Sequence, residues 1–165
     1  MSNQIAIIDV AEGFRFALTE TFESVRGMYL DKGTSLFETL AGISAEQASM
    51  PISDNCATIA AQVDHTRFYL DVMHESLVKR EYVQGSDWAH IWNTVSTVDA
   101  LQWQAIVNNL RASYDQVVAD LNTHASWTDA LELSCMLGMI VHSAYHLGEI
   151  RQALCFISYQ QAQQG

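Results

Sequence analysis

The chain has 165 residues and a formal net charge of −11 at pH 7. A surface that binds phosphate groups needs clustered lysine and arginine. The eight basic residues of this chain are scattered, which argues against a nucleic-acid partner and against docking on anionic membranes. The length is typical of one domain, residues 1–165, and the single proline together with 49% hydrophobic residues favours a helical core.

No segment of the sequence has the pattern of a targeting signal or a membrane span. Residues 1–13 lack the basic start of a secretory signal, and their apolar stretch is too short. The most apolar window, 131–141, is about half of the ~20 residues that a spanning helix needs. Cys56, Cys135 and Cys155 show no CxxC spacing, so we expect reduced core residues in a cytoplasmic protein.

A first helix is predicted over residues 10–31. Asp9 and Glu12 have the spacing of a capping box, in which a side-chain acceptor is followed three residues later by an acid. From Phe14 onwards, apolar residues recur every three or four positions, as on one face of a helix. Gly33 suits the position just after a helix end.

Residues 33–52 are the least regular part of the sequence. Short helical pieces are predicted at 35–40 and 45–48, and Pro51 closes the segment. A connection of this length is uncommon in a compact domain and is often functional. Whether this segment, or the segment 85–95, forms a lid over a site stays open at this point.

The second helix is predicted to begin after Ser53, a favourable N-cap residue, and to end before Gly85. Apolar residues follow at spacings of three and four from Ile59 to Leu77. A second apolar set lies on another side of the same helix, which predicts a central position in the fold. His65 lies on that second side.

Two tryptophans follow the second helix, and Trp88 and Trp92 share a face if this segment is one short helical piece. An aromatic pair at helical spacing usually packs a loop onto the core. The functional alternative is that both rings, together with Tyr69, form the wall of a ligand pocket.

The third helix is predicted from a capping box at Ser96 and Asp99 to about Asn122. Residues 126–129 open the fourth helix, which is apolar on more than one side, and the polar tail 160–165 is expected to fray. No stretch long enough for a β-strand alternates between apolar and polar residues. Four long helices in one chain predict an all-α four-helix bundle, with short helical pieces in the connections.

The strongest functional pattern is the pair His142 and His146. Residues four apart on a helix have Cβ atoms roughly 5–6 Å apart, so two imidazoles can reach one metal ion. Both lie in an apolar stretch, where an unpartnered buried imidazole would cost about 1–3 kcal/mol. His65, on a neighbouring buried helix, is the candidate third ligand, and core histidines with hydrogen-bond partners are the rival interpretation. The other histidines are interpreted as surface or capping groups: His74, His90 and His124.

Two charged residues follow the histidine pair. Glu149 is three residues after His146 and faces the same side. It could be a fourth ligand, a general base, a partner that orients a ligand, or a solvated acid. Arg151 lies ~140° around the helix from His146, which favours a salt bridge across the bundle over a substrate contact.

With these residues in place, the chain resembles the DinB/YfiT-like family of metal-binding four-helix bundles. The resemblance covers essentially the whole chain and depends on three segments: Ala-Gln-Val-Asp-His-Thr-Arg-Phe-Tyr-Leu around His65, His142-x-x-Tyr-His146-x-Gly-Glu-Ile-Arg151, and Asp87-Trp88-x-x-x-Trp92. It implies an up-down-down-up bundle, a homodimer, and a divalent metal such as nickel or zinc on His65, His142 and His146. Family members often carry glutamine where this chain has Glu149.

The resemblance leaves two classes of function open. The first is a metal-dependent hydrolase or low-molecular-weight-thiol transferase, in which the ion activates water or a thiol and Glu149 is the candidate catalytic residue. Its partner would be a small-molecule substrate or a thiol cofactor. The alternative is a non-catalytic metal- or ligand-binding module of the stress-response or regulatory type.

Overall fold

The structure is a computed structural model that describes residues 7–54, 56–83, 87, 89, 92, 94–123, 127 and 129–164. Over these residues it is all-helical, with no strand. The helices are α1 (Ile7–Phe22), α2 (Leu36–Leu40), α3 (Ala45–Ser49), α4 (Ile59–Lys79), α5 (Ala100–Thr123) and α6 (Ala130–Gln164). One cluster of buried apolar side chains extends through all of them.

The two helices that carry the candidate histidines, α4 and α6, share the most extensive interface of the structure. Helix α4 also packs against α5, and α1 packs against both α6 and α5. Arg80, just after α4, lies 2.7 Å from the buried carboxylate of Glu132 at the start of α6. Gln62 near the start of α4 contacts His146 at the middle of α6. These contacts place α4 and α6 antiparallel to each other.

Helix α1 ends at Phe22, so the predicted extent of 10–31 is wrong. Glu20 has no exposed area, and its carboxylate accepts hydrogen bonds of 2.6–3.0 Å from four backbone amides of the following loop: those of Arg26, Met28, Tyr29 and Leu30. Because these amides turn towards one carboxylate, they cannot continue the helical hydrogen bonding. Asp9 is also not a cap, since the chain is already helical at Ile7.

The two short helices predicted between residues 33 and 52 are confirmed as α2 and α3. The carboxylate of Glu38 accepts a hydrogen bond of 3.1 Å from the backbone amide of Ser35. Ser44 and Gln47 form a reciprocal capping box at the start of α3. These local interactions satisfy amides that the first turn of a helix leaves without partners.

Helix α4 begins later than predicted. Its N-cap is Thr58, whose hydroxyl accepts a hydrogen bond of 3.2 Å from the amide of Ala61, and not Ser53. The helix ends at Lys79, and Arg80 adopts the left-handed conformation with φ of 56°. A left-handed residue terminates helical hydrogen bonding, and here it turns the chain away at the end of α4.

Helix α5 also begins later than predicted, with Asp99 and not Ser96 at its start. The carboxylate of Asp99 accepts from the amide of Gln102 at 2.8 Å, and the side chain of Gln102 accepts from the amide of Asp99 at 2.9 Å. The predicted capping box of Ser96 and Asp99 is therefore wrong, and Asp99 instead forms a capping box with Gln102 one turn later. The helix continues to Thr123.

Helix α6 has 35 residues and continues to Gln164, so the expected fraying of residues 160–165 is wrong up to that point. The carboxylate of Asp129 accepts from the amide of Glu132 at 3.0 Å, while the predicted opening residue, Ser126, lies outside the described residues. Neither α6 nor any other described helix combines the length and apolarity needed to cross a membrane.

The three cysteines do not share one environment. All are free thiols, but only Cys135 is buried in the core, and Cys56 and Cys155 are exposed. The expectation of three core cysteines is therefore wrong for two of them. Cys56 lies in the connection before α4, and Cys155 lies on a side of α6 that faces solvent.

Candidate metal centre

Three histidine rings from two helices meet in one cluster. The ring centroids of His142 and His146, on α6, are 4.4 Å apart. The ring of His65, on α4, lies 5.1 Å from His142 and 4.9 Å from His146. One nitrogen from each ring lies within 4.8 Å of the other two. The structure therefore brings together the three residues that the sequence singles out.

The spacing of these rings fits a shared metal ion. With metal–nitrogen distances of ~2.0–2.1 Å and tetrahedral to octahedral angles, the centroids of coordinated imidazoles lie about 4.5–5.2 Å apart. The observed range of 4.4–5.1 Å is close to that interval. The donor set consists of nitrogen alone, because the described carboxylates do not join the cluster.

Two nitrogens of the cluster have unmet hydrogen-bonding capacity. His65 and His146 are buried and His142 is half-buried. Nδ1 of His65 and Nε2 of His142 are buried and have no hydrogen-bond partner among the described residues. An unsatisfied buried polar group costs about 1–3 kcal/mol, and a cation shared by the rings would satisfy both nitrogens.

Burial keeps the imidazoles neutral. The pKa of His142 falls to about 3, mainly through burial and further through the neighbouring rings of His146 and His65. The pKa of His146 falls to about 4 through burial and the proximity of His65. Burial also lowers the pKa of His65, although Glu149 and Asp64 oppose this shift. Neutral imidazoles offer the lone pairs that metal binding requires.

The side chains of Glu149 and Gln62 orient the ring of His146. Nδ1 of His146 lies 2.9 Å from Oε2 of Glu149 and 3.2 Å from Oε1 of Gln62. Both oxygens are acceptors, which favours a proton on Nδ1 and leaves Nε2 free to coordinate a metal. Of the roles considered for Glu149, the geometry favours that of an orienting partner. Gln62 was missed by the sequence analysis, although a glutamine one turn before His65, on a helix predicted to be apolar on two sides, was a usable signal.

Aromatic rings cover two of the histidines. The ring of Tyr69 stacks on His142 with centroids 3.7 Å apart and an interplanar angle of 17°. Trp92 lies on His65 with centroids 4.2 Å apart and an angle of 30°. Of the three predicted pocket residues, Tyr69 and Trp92 contact the cluster, but only Trp92 is among the described residues that line the cavity beside it. Trp88 lies outside the described residues.

The histidine cluster opens into a cavity of about 880 Å³. Ile52 from the segment 33–52 and Trp92 from the segment 85–95 both contribute to its wall. These two connections, for which a lid was considered, therefore border the site. The remaining lining residues outside the cluster are Cys56, Ala57, Gln62, Tyr145, Gly148, Glu149 and Gln152.

The other candidate residues lie outside the cluster. His74 is half-buried and its Nε2 lies 2.7 Å from Oδ2 of Asp120 on α5, so its interpretation as a surface or capping group is corrected. Arg151 donates a hydrogen bond of 3.5 Å to the backbone carbonyl of Thr34, in place of the expected salt bridge. The remaining histidines lie outside the described residues: His90 and His124.

Comparisons of the chain with protein-family models, with curated proteins and with solved structures found no match. The class of protein is therefore defined by the fold and the site alone. It is an all-helical protein in which three histidines lie close enough together to hold a metal ion, at the side of an open cavity.

Proposed function

We propose that the protein binds a divalent metal ion through His65, His142 and His146 and uses it in a hydrolytic or thiol-transfer reaction on a small molecule. The observation that carries this proposal is the pair of buried nitrogens, on His65 and His142, that have no hydrogen-bond partner among the described residues. Chains rarely retain such groups at a cost of about 1–3 kcal/mol each unless an ion, a water or another ligand satisfies them, and two such nitrogens in one cluster of three histidines are typical of a metal site.

We also propose that the chain is a DinB/YfiT-like protein with an up-down-down-up four-helix bundle. The pairings of the four long helices support this arrangement, because α1 and α4 each pack against both α5 and α6. Such pairings are those expected when four helices surround one core. The residue pattern around His65, His142 and His146 supports the family assignment.

Nickel and zinc are the ions that the resemblance to the DinB/YfiT-like family suggests, and the all-nitrogen ligand set is compatible with both. Imidazole nitrogen is a good ligand for zinc, copper, iron and nickel, whereas magnesium and calcium require oxygen ligands. The three nitrogens supply three positions, and a reactive site keeps further positions for water or substrate. The cavity beside the cluster provides space for such a ligand.

Residues of the chain would orient the metal ligands and form the wall that contacts the substrate, while the ion would supply the reactive group. A divalent ion lowers the pKa of a bound water to ~7, or binds a thiol as thiolate. Glu149 and Gln62 hold the ring of His146, and Tyr69 holds that of His142. The cavity would admit the substrate, with Trp92 as one of its walls.

A non-catalytic binding module is the second candidate, and one observation favours it. Glu149 is the one acid among the described cavity-lining residues. One of its oxygens accepts from the hydroxyl of Tyr145 at 2.7 Å and the other lies 2.9 Å from His146. Both oxygens of the one described carboxylate that lines the cavity are therefore already engaged, which disfavours a general base at this site. If the ion only stabilises the fold, His142→Ala lowers the melting temperature of protein purified with its metal and no metal-dependent turnover is found.

Metal binding itself is tested by titrating metal-free protein with zinc and nickel and measuring bound metal after dialysis. We expect one ion per chain for the wild type and for His74→Ala, which removes a histidine outside the cluster. His142→Ala should lose most of the binding, because two ligands remain. Binding that survives His142→Ala, or that is equally lost in His74→Ala, would overturn the proposal.

We further propose that the protein is a homodimer. Four apolar residues follow at intervals of four along the exposed side of α6: Leu133, Leu137, Val141 and Tyr145. The chain carries a formal charge of −11, yet this stripe is uncharged. Two copies could therefore meet along α6 without placing their negative charges face to face.

A further inference from the structure

None of the eight lysine and arginine residues of the chain, all of which lie in the described ranges, lines the cavity beside the histidines. We infer that this cavity takes a substrate that is uncharged and largely apolar beyond the group that reaches the metal. This inference deepens the proposed function and rests on it. It predicts that small molecules with additional carboxylates or phosphates bind poorly and that molecules without these groups bind well.

The two basic residues closest in sequence to the histidines are directed elsewhere. Arg67, two residues after His65, donates hydrogen bonds of 2.7 Å to both Asp64 and Asp71. Arg151 contacts the backbone of Thr34 and lines a separate cavity of about 320 Å³. Neither guanidinium is part of the wall that a ligand beside the histidines would meet.

The wall of the cavity is suited to apolar groups. Ile52 and Ala57 line it on the side before α4, and Gly148 lines it from α6. Trp92 adds a large aromatic surface and is 39% exposed, so its ring remains available for contact. A volume of about 880 Å³ can hold a molecule far larger than a water or a simple ion.

The charges at the base of the cavity do not attract a second anionic group. A divalent ion on three neutral imidazoles carries two positive charges. An ionised metal-binding head group would cancel one of them, and the carboxylate of Glu149 lies beside the cluster to cancel the other. A further carboxylate or phosphate would lose hydration without gaining a partner. Thiols rich in such groups therefore fit the site poorly, whereas uncharged esters, amides or apolar thiols fit it.

The inference is tested with hydroxamates, which bind metal ions through one head group. Zinc-loaded protein is titrated calorimetrically with benzohydroxamate, 4-methoxybenzohydroxamate and 4-carboxybenzohydroxamate. We expect the two uncharged probes to bind with similar affinity and the carboxylated probe to bind about tenfold more weakly or worse, as one unpaired charge at a partly buried site predicts. Carboxylated probe that binds as tightly as benzohydroxamate would overturn the inference.

Supplying the missing cation provides a second test. Gln152 lines the cavity and is exposed, so Gln152→Arg places a guanidinium in the wall. Gln163→Arg, on an exposed position of the same helix outside the cavity, is the matched control for net charge. We expect Gln152→Arg alone to restore the affinity for the carboxylated probe by about tenfold. An equal effect of both variants, or no effect of either, would overturn the inference.

Zinc content is measured before each titration, so that a failure of metal binding can be distinguished from a failure of the inferred substrate class. Wild-type protein that takes up no zinc would overturn the proposed function. Protein that is fully loaded but binds none of the three probes, or binds them without discrimination, would overturn the substrate class and leave the metal site standing.

Discussion

The ring of Tyr69 lies nearly parallel to the imidazole of His142, with centroids 3.7 Å apart. Gly138, one turn before His142 on α6, makes this approach possible. A Cβ at position 138 would lie 3.0 Å from the hydroxyl oxygen of Tyr69, closer than such atoms normally approach. A side chain at position 138 would therefore require the ring of Tyr69 to shift by a few tenths of an ångström, which links its position on His142 to a site one helical turn away.

Replacing Gly138 by alanine should weaken metal binding by about tenfold, because the new methyl group displaces Tyr69 from His142. Zinc affinity measured by calorimetry checks this. Gly13→Ala is the matched control, since Gly13 is exposed on α1 and a Cβ there meets nothing within 4 Å. That substitution should stabilise the protein by about 0.5–1 kcal/mol through helix propensity and leave zinc affinity unchanged.

Removing the hydroxyl of Tyr69 should relieve the same clash. We expect the double variant Gly138→Ala with Tyr69→Phe to recover most of the lost zinc affinity, because the ring stack on His142 is retained. Wild-type affinity in Gly138→Ala, or a double variant as weak as the single one, would show that Tyr69 does not position His142.

Glu149→Gln should weaken zinc binding by a few-fold, less than the about 10–100-fold that follows when the partner of a metal-bound histidine is removed outright, because the amide oxygen can still accept from Nδ1 of His146. The substitution keeps the shape of the side chain but removes the carboxylate beside Nδ1 of His146. Glu12→Gln, at an exposed position on α1, controls for the change in net charge. If Glu149→Gln binds zinc normally and loses only turnover, Glu149 is a general base and the orienting role is wrong.

Lowering the pH should destabilise the fold, because it protonates the carboxylate of Glu20. Burial by itself would raise the pKa of Glu20. Four backbone amides donate hydrogen bonds to its carboxylate, and together they outweigh burial and lower the pKa from 4.5 to about 2. A depressed pKa in the folded state contributes stability above pH 4.5, and this contribution is lost as pH falls from 4.5 towards 2. The amides belong to Tyr29, Leu30, Met28 and Arg26.

Urea unfolding of metal-free protein at several pH values checks this contribution. Glu20→Gln should be markedly less stable than wild type at pH 7, and the difference should shrink between pH 4.5 and about 2. Glu12→Gln again serves as control and should follow the wild-type curve. A stability difference that stays constant over this pH range would contradict the proposed origin of the shift.

Leu137→Glu should convert the proposed dimer into a monomer, because it places a charge in the middle of the apolar stripe on α6. Light scattering coupled to gel filtration measures the mass. Leu101→Glu is the matched control, since Leu101 is 84% exposed on α5, outside the stripe. A wild-type protein that is monomeric at all accessible concentrations would refute the dimer.

The amino-acid sequence alone determined the helical class of the protein and the residues of its candidate site. Apolar spacing of three and four along the chain reports the buried face of each helix, which is a local property. The interval of four between His142 and His146 is equally local, and it places both rings on one face whatever surrounds them. The short helices α2 and α3 follow from capping interactions between residues three apart.

Only the tertiary structure decided the features that depend on partners far apart in the chain. Apolar spacing predicted that α1 continues, but the burial of Glu20 ended it, because a carboxylate removed from water must take hydrogen bonds from the nearest amides. The contact between Gln62 and His146 spans 84 positions of the sequence. The approach of Tyr69 to Gly138 likewise depends on how α4 packs against α6. Helical periodicity states which side of a helix is buried, but not which side chain of another helix it meets there.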